Sequence, residues 1–413
     1  MYMPTDAGLI HSALENVYWG IVIVTYPYIS GLVAGSFVVG SLSHLFGQKR
    51  FARLSPIAVL VTFALLLAAP MTVLSDSRQP VNFVEMYLRG HVPYSPIGDF
   101  VVIWTAYVVL MLFELFYTFR WTCSRLALAG GPRARLMRAL ALGRVDASEE
   151  RRAKDGKVLV ALSAIGIVLA FMFHGYIGFI FGVVKARPLW TTPLMPVLFI
   201  VSAIVSGVAL MLLINAVISW WQGQKPNQAV MQGLTTYLAL FLLLDFFLDA
   251  VDFLNSSISE YTSLDTVQGF QHVYLHGPLA FTYLGLQISL GIFVPLILYV
   301  IPRVRQSLPG QLLIGLCVLI GVYAMRWDVV IGGQLQSKIS DNLLVYAPAL
   351  FGYGSIQVVI GIFFVALVLF EMAAWLFPWR EAADDAEHGH ALELSAAVLA
   401  TAGHQTSEGV SIQ

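Results

Sequence analysis

Long uninterrupted apolar runs divide this chain, each at least ~18 residues, the length a helix needs to cross a bilayer. They fall at about 16–46, 54–75, 99–122, 157–182, 192–219, 228–254, 271–300, 310–333 and 354–378. The runs are Leu/Ala/Gly-rich and continuous, where a membrane barrel would show short alternating strands, so helices are predicted. The expected fold is all-α, a polytopic transmembrane bundle of about nine spans. Small residues add an internal echo. SGLVAG (Ser30, Gly31, Val33, Gly35) in the first span returns as SAIVSG (Ser202, Ala203, Ser206, Gly207) in the fifth, four spans later. Small residues at this spacing let helices approach closely. The echo reads either as coincidence in Gly/Ala/Ser-rich helices or as a duplicated four-helix unit, giving two four-helix bundles plus one extra C-terminal helix.

The polar positions then set the orientation, because short cytoplasmic connections carry the excess of Lys and Arg. Lys49, Arg50 and Arg53 follow the first span, and Arg125, Arg133, Arg135, Arg138, Arg144, Arg151, Arg152, Lys154 and Lys157 fill the loop after the third. Strict alternation puts Lys225, Arg303, Arg305 and Arg380 on that same side, while the opposite connections are sparser and mixed in sign. The N-terminus is therefore expected outside and the C-terminus in the cytoplasm, in a bacterial inner membrane. The Arg-rich loop is either retention charge or a docking site for an acidic partner or anionic lipid. Residues 1–380 form the expected membrane domain. From Glu381 the composition turns to Ala, Glu, Asp, Ser and His, which predicts a loosely ordered tail over 381–413. His388 and His390 lie there without a third ligand close by, so no metal site is assigned.

Composition sharpens the class. Of 413 residues, 58% are hydrophobic and only 11% charged, against ~25% charged in soluble proteins. The bilayer is the expected surroundings, and nucleic acid is not an expected partner. Cys123 and Cys317 are the only cysteines, too few for an iron–sulfur cluster, a Cys-ligated zinc site or a disulfide framework. Met1–His11 lacks the basic and apolar regions of a secretory signal, so the first span is expected to serve as its own insertion signal.

Candidate chemistry gathers at the outer ends of the spans. The stretch FMFHGYIGFIFGVVKARPLWTTPLMP, 171–196, sets His174 and Tyr176 near a helix end, then Lys185 and Arg187 in a short connection before Trp190. Two proton-exchanging groups beside a cation and an aromatic belt suit a redox-active lipid such as a quinone; the alternative is hydrogen-bond glue between helices. Asp245, Asp249 and Asp252 stand at i, i+4 and i+7, on one helical face. Carboxylates in hydrocarbon must face the bundle interior, so the row is either a proton path or a static polar seam paired with Arg326. Glu114, in the inner third of the third span, would extend such a path or else snorkel at the helix end. His272 and His276 open the seventh span, and His276 lies at a depth similar to His174. Imidazoles from two helices at one depth can clamp a b-type haem, which His44, near the inner face, cannot join. Asn16, Tyr18 and Trp19 open the first span, where the aromatics read as interfacial anchors and the Asn16 amide could bond a quinone carbonyl if it packs against Tyr176.

Three segments, HGYIGFIFGVVKARPLWTTPLMPVLFIVSA, VYWGIVIVTYPYISGLVAG and MRWDVVIGGQ, resemble the NrfD/PsrC family of polysulfide reductase-type membrane subunits. The similarity extends over most of spans one to eight. It implies a subunit without a redox centre of its own, exchanging electrons between menaquinone or ubiquinone and a periplasmic ferredoxin-like iron–sulfur subunit. That subunit would in turn serve a molybdopterin enzyme or a multihaem cytochrome. Carried over, the resemblance makes Tyr176 the quinone tyrosine of the fourth span and Asn16 its first-span partner. Some members carry a histidine one turn after that asparagine; here the position is Trp19, so either His174 takes over proton exchange or the quinone pose differs. A ninth span points to one of the longer subgroups.

The expected function is thus a quinone-reactive membrane subunit of a multisubunit oxidoreductase. Its quinone site would comprise Asn16, Trp19, His174, Tyr176 and Lys185. The proton path would comprise Glu114, Asp245, Asp249, Asp252, His276 and Arg326. The rivals are a haem-bearing cytochrome b subunit, to be told apart by a reduced-minus-oxidised spectrum, and a secondary transporter, which would move substrate in liposomes without a partner and show more polar, broken helices at the bilayer midplane.

Overall fold

The computed structural model describes residues 16–77, 80–92, 94–257, 263–338 and 342–387. Nine long helices run through it: α1 Ile21–Ser41, α2 Ser55–Asp76, α3 Pro96–Ala129, α4 Glu149–Gly182, α5 Met195–Trp221 and α6 Gln228–Ser257, then α7 Phe281–Val300, α8 Leu308–Leu335 and α9 Ile356–Leu376. Eight of them are long and apolar enough to cross a membrane. The ninth, α6, is 30 residues long and carries the three aspartates. The all-α, polytopic membrane bundle expected from the apolar runs is what the polypeptide forms.

Helix starts follow local chemistry. Ser95, Ser148 and Ser307 each accept a bond from a backbone N–H of the first turn of α3, α4 and α8, at 3.2 Å in each case. Such caps satisfy donors that the helix itself leaves unpaired. Pro96 and Pro196 stand in first turns, where the missing N–H costs no helical bond. One feature lies outside the apolar pattern: Phe281–Phe293 and Asp328–Gly332 are π-helical, the wide turn that recurs at functional positions.

Packing divides the helices into two groups of four. In the first, α1 lies against α2 and α4, and α3 against α4 and α2; in the second, α5 packs on α6 and α8, and α7 on α8. The groups join through α1 and α5, and α9 leans on α2. The seam is built from the small residues of the sequence echo. A Cβ on Gly35 would stand 2.7 Å from Gly207 Cα, closer than side-chain contacts allow, so only glycine lets these backbones meet. Gly291 and Gly321 make the same approach between α7 and α8.

At the end of the bundle that carries Lys49 and Arg53, residues 379–387 form one more helix with Ala382 and Ala383 buried. The boundary expected at 381 falls inside this helix, while His388, His390 and the rest of the expected tail, 391–413, lie outside the described residues. The helix is acidic and is gripped by the basic connections. Asp385 accepts from Thr122 at 2.8 Å and pairs with Arg125 at 3.0 Å, while Arg152 bonds the Asp385 carbonyl. Arg53 pairs with Asp384 and Glu387 at 3.4 and 3.2 Å. Part of the Arg-rich loop thus serves the protein's own C-terminal helix. Nearby, burial pushes the His44 imidazole below its ordinary pKa, beside the Ser55 hydroxyl at 3.0 Å.

Gly207→Ala should lower stability by about 1–3 kcal/mol through overpacking of the α1/α5 seam. Gly361→Ala, with nothing within 4 Å of the added carbon, should leave the unfolding midpoint in detergent unchanged. Equal midpoints for the two variants would show that the seam tolerates a side chain.

Candidate functional site

The centre of the molecule is a guanidinium with no solvent exposure. Arg326 on α8 is 0% exposed and donates through Nη2 to Ser202 Oγ on α5 at 2.6 Å, with His174 Nε2 on α4 at 3.1 Å from the same nitrogen. Nη1 faces Met325 Sδ at 3.0 Å, and the plane lies 4.1 Å from the centroid of the Phe199 ring. The other His174 nitrogen, Nδ1, meets Ser30 Oγ on α1 at 3.3 Å. A cation without water needs such a shell of dipoles and a π face. The sequence pointed to a carboxylate of the α6 row as the partner of Arg326; among the described residues none lies within ion-pair distance, and His174 and Ser202 take that place. The reason is geometric: the close Gly35–Gly207 contact draws α1, α4, α5 and α8 together at this depth.

The internal echo explains the layout. Ser30 and Ser202 occupy matching places in SGLVAG and SAIVSG, and each reaches the fourth helix of its own group: Ser30 to His174, Ser202 to Arg326. The two fourth helices then meet through the His174–Arg326 contact across the seam.

The acidic row of α6 faces inward, as its spacing implies, but toward α5, α7 and α8. Asp252 accepts from Thr192 at 2.9 Å and Asp249 from Gln287 of α7 at 3.2 Å; Asp245 is buried. Asp328 continues the polar group, accepting from Thr282 at 2.5 Å, and its carbonyl accepts from Tyr274 at 2.9 Å. Asp249, Asp252, Tyr274, Tyr283, Gln287 and Asp328 border a cavity of about 60 Å³, room for on the order of a few water molecules. A smaller cavity of about 10 Å³ touches Asp245, Asp249, Gln287, Ser202 and Met325. It brings the row to Ser202 and Met325, two of the residues in contact with the Arg326 guanidinium. Gln287 gives no sequence signal as a site residue, because one polar residue in an apolar run has no periodicity, and nothing in LWTTP or MRWDV shows which helices Thr192 and Asp328 face.

Glu114 is not part of this file. It is buried in the first group, where its Oε1 accepts from Ser163 of α4 at 3.1 Å, and α1 and α5 stand between it and α6. His276 is exposed after the π-helical turn Gln271–Leu275, so it joins neither the row nor a facing pair with the enclosed His174. Glu114 and His276 therefore stand apart from the aspartate row, whose polar contacts come from α7, α8 and the segments leading into α5 and α7.

The quinone-site candidates separate likewise. Trp19 stacks on Trp190 at 5.4 Å and meets Phe181 edge-on at 5.7 Å. Its backbone is pinned by the Gln334 amide, at 3.0 Å from Trp19 N and 2.9 Å from Trp19 O. Tyr176 is half-buried and donates to Asp99 Oδ2 of α3 at 3.0 Å, its ring stacked on Phe100. Asn16 is exposed ahead of α1, and the partner of Tyr176 is Asp99. Lys185 is exposed in its connection; Arg187 is the cation that engages the bundle, through the carbonyls of Gln334 and Gln336 at 3.3 and 3.0 Å. Asp99 had the look of a helix-start acid, since it lies in the first turn of α3.

Two four-helix groups joined at a small-residue seam, with an enclosed Arg–His contact, a row of aspartates and an aromatic end, make up an integral membrane protein with ionisable groups in its interior. The chain belongs to the NrfD family: the family model described as "Polysulphide reductase, NrfD" matches residues 11–338. It is 31% identical over 395 residues to a selenate reductase subunit of Mesobacillus selenatarsenatis, covering 92% of this protein and 90% of that one. It is 24% identical over 390 residues to the Hdr-like menaquinol oxidoreductase integral membrane subunit of Archaeoglobus fulgidus, covering 87% and 86%. A polysulfide reductase polypeptide of Wolinella succinogenes matches over 177 residues at 28% identity, 42% of this protein and 53% of that one.

Arg326→Lys should cost about 1–3 kcal/mol, because one ammonium cannot serve Ser202 and His174 while lying flat on Phe199. The unfolding midpoint of the detergent-solubilised protein reads this; an unchanged midpoint would show that the fork geometry is not what holds these helices together.

Proposed function

We propose that this protein is the quinone-reactive membrane subunit of a multisubunit respiratory oxidoreductase. It passes electrons between a membrane quinone and an iron–sulfur subunit docked at the Trp190 end, which in turn serves a molybdopterin or multihaem subunit. The membership of the family and relatives named as subunits of selenate, polysulfide and menaquinol oxidoreductases support this reading. The observation that carries it is the Tyr176–Asp99 pair. A phenol hydrogen-bonded to a carboxylate at 3.0 Å, half-open among Phe100, Phe179 and Tyr26, offers a flat aromatic surface and a proton-exchanging group at one spot. Asp99 Oδ1 is buried and unpartnered among the described residues, a free acceptor for a hydroxyl proton.

Oxidation of a quinol removes electrons and hydroxyl protons together, so a base must stand at the ring oxygen. Asp99 takes that role with Tyr176 as relay, and Phe100 against Tyr26 walls the region toward α1. The file Asp252, Asp249, Gln287, Asp245 offers a separate proton route from the same end toward Ser202 and Arg326. Basic connections at the Lys49 end support a cytoplasmic position for that end, with the Trp190 end outside, in an inner membrane.

Tyr176→Phe should lower quinol turnover of the assembled complex on the order of 100-fold while leaving subunit assembly intact; wild-type turnover would remove Tyr176 from the site. Asp249→Asn should slow the proton-coupled rate in liposomes. An unchanged rate together with a lower unfolding midpoint would make the row a static seam.

A further inference from the structure

At the opposite end from Tyr176, two cavities share a wall. The larger is an apolar trough of about 700 Å³ between α2, α5 and α9. It exists because α9 packs on α2 and only lightly on α1, and because Ala64, Ala366 and Ala374 leave room where larger side chains would fill the gap. The smaller, about 490 Å³, lies just beyond it among the 49–53 turn, the end of α5, the 222–230 connection and the helix 379–387. Ile218, Trp379 and Arg380 border both. The two volumes therefore adjoin across these three side chains, an apolar half at membrane depth and a polar half at its edge.

The polar half is cationic. Lys49, Arg50, Arg53, Lys225 and Arg380 line it against Asp384 and Glu387, and Arg53 takes up both of those carboxylates. Arg50 lies 4.8 Å from the Phe51 ring centroid, and Arg380 lies 5.2 and 5.9 Å from those of Trp379 and Trp221. The rings fix the guanidinium planes without neutralising them. Among the described residues no carboxylate pairs with Arg50, Lys225 or Arg380. Glu371 and Glu381 border the trough and not this pocket.

A soluble anion would leave the apolar half unexplained, and a neutral lipid or quinone would leave the cations so. We propose that this is a binding site for one anionic diacyl phospholipid of the adjoining leaflet. Its phosphate sits among Arg50, Lys225 and Arg380, and its acyl chains run along Ala64, Ile214, Ala366 and Phe370. Guanidinium groups donate to phosphate oxygens, and basic pockets between membrane helices at a leaflet surface suit anionic headgroups. The lipid would tie α2 of the first group to α5 of the second and brace the acidic helix 379–387. The site does not depend on the chemistry at Tyr176.

The test uses the full-length protein in mixed micelles with equal phosphatidylglycerol and phosphatidylcholine, the retained lipid being counted by native mass spectrometry. Wild type should keep one phosphatidylglycerol in preference to phosphatidylcholine. Lys225→Gln, an exposed position, should lower that preference roughly fivefold, and adding Arg380→Gln by a similar factor again. Ala366→Phe should release the lipid by filling the trough with the head pocket intact. Equal retention of both lipids, a preference that survives the double charge variant, inorganic phosphate raising the unfolding midpoint as much as phosphatidylglycerol does, or quinone retained in its place would each overturn the assignment. The unfolding midpoint of each variant without added lipid separates loss of the site from loss of the fold.

Discussion

A guanidinium buried where water cannot reach it must be surrounded by partners, and no single helix can supply them all. Arg326 draws Ser202 and Phe199 from α5 and His174 from α4, and His174 in turn holds Ser30 on α1. In a bilayer the hydrophobic effect gives helices little reason to choose one neighbour over another, because lipid tails are as apolar as leucine. Specificity then falls to close backbone contact and to polar groups that must be satisfied. Both meet here: Gly35 against Gly207 sets the distance between the two four-helix groups, and the Arg326 shell sets their register.

The same constraint organises the interior into two unlike halves. The first group carries two buried acids, Glu114 with Ser163 and Asp155 with Arg120 and Arg151, and presents Tyr176 and Asp99 at its flank. The second carries the aspartate row, Gln287 and small polar cavities beside the π-helical part of α7. Matching serines from the repeated motif connect the halves, yet one repeat places a histidine and the other an arginine at the meeting point. The two groups thus share a packing requirement and differ in chemistry, since small residues at the seam are required by distance and the polar residues beyond it are not.

At the basic end the balance of forces differs. The ion pairs of Arg53 and Arg125 with Asp384, Asp385 and Glu387 are partly exposed, so each contributes little on its own. Together with the buried Ala382 and Ala383 they keep a short helix against the bundle and close one side of a cationic pocket. Charges that orient a polypeptide during insertion thus also serve the folded molecule.

The apolar runs alone determined that the protein crosses a membrane about nine times as helices, because length and continuity suffice for that. The echo of SGLVAG in SAIVSG marked small residues at which helices could approach closely, since such approach depends on the local absence of side chains, and the fold decided that α1 and α5 meet there. The spacing of Asp245, Asp249 and Asp252 likewise fixed a shared inward face. Tertiary structure decided what that face meets: Gln287 and Thr192 in place of Arg326, and Arg326 on His174 instead. It separated Glu114 from the row, left His276 and Lys185 exposed, and gave Tyr176 an aspartate from α3. Partners of that kind come from helices 38 to 152 positions away in the sequence, so their pairing depends on the order and rotation of packed helices, which no periodicity within one helix records.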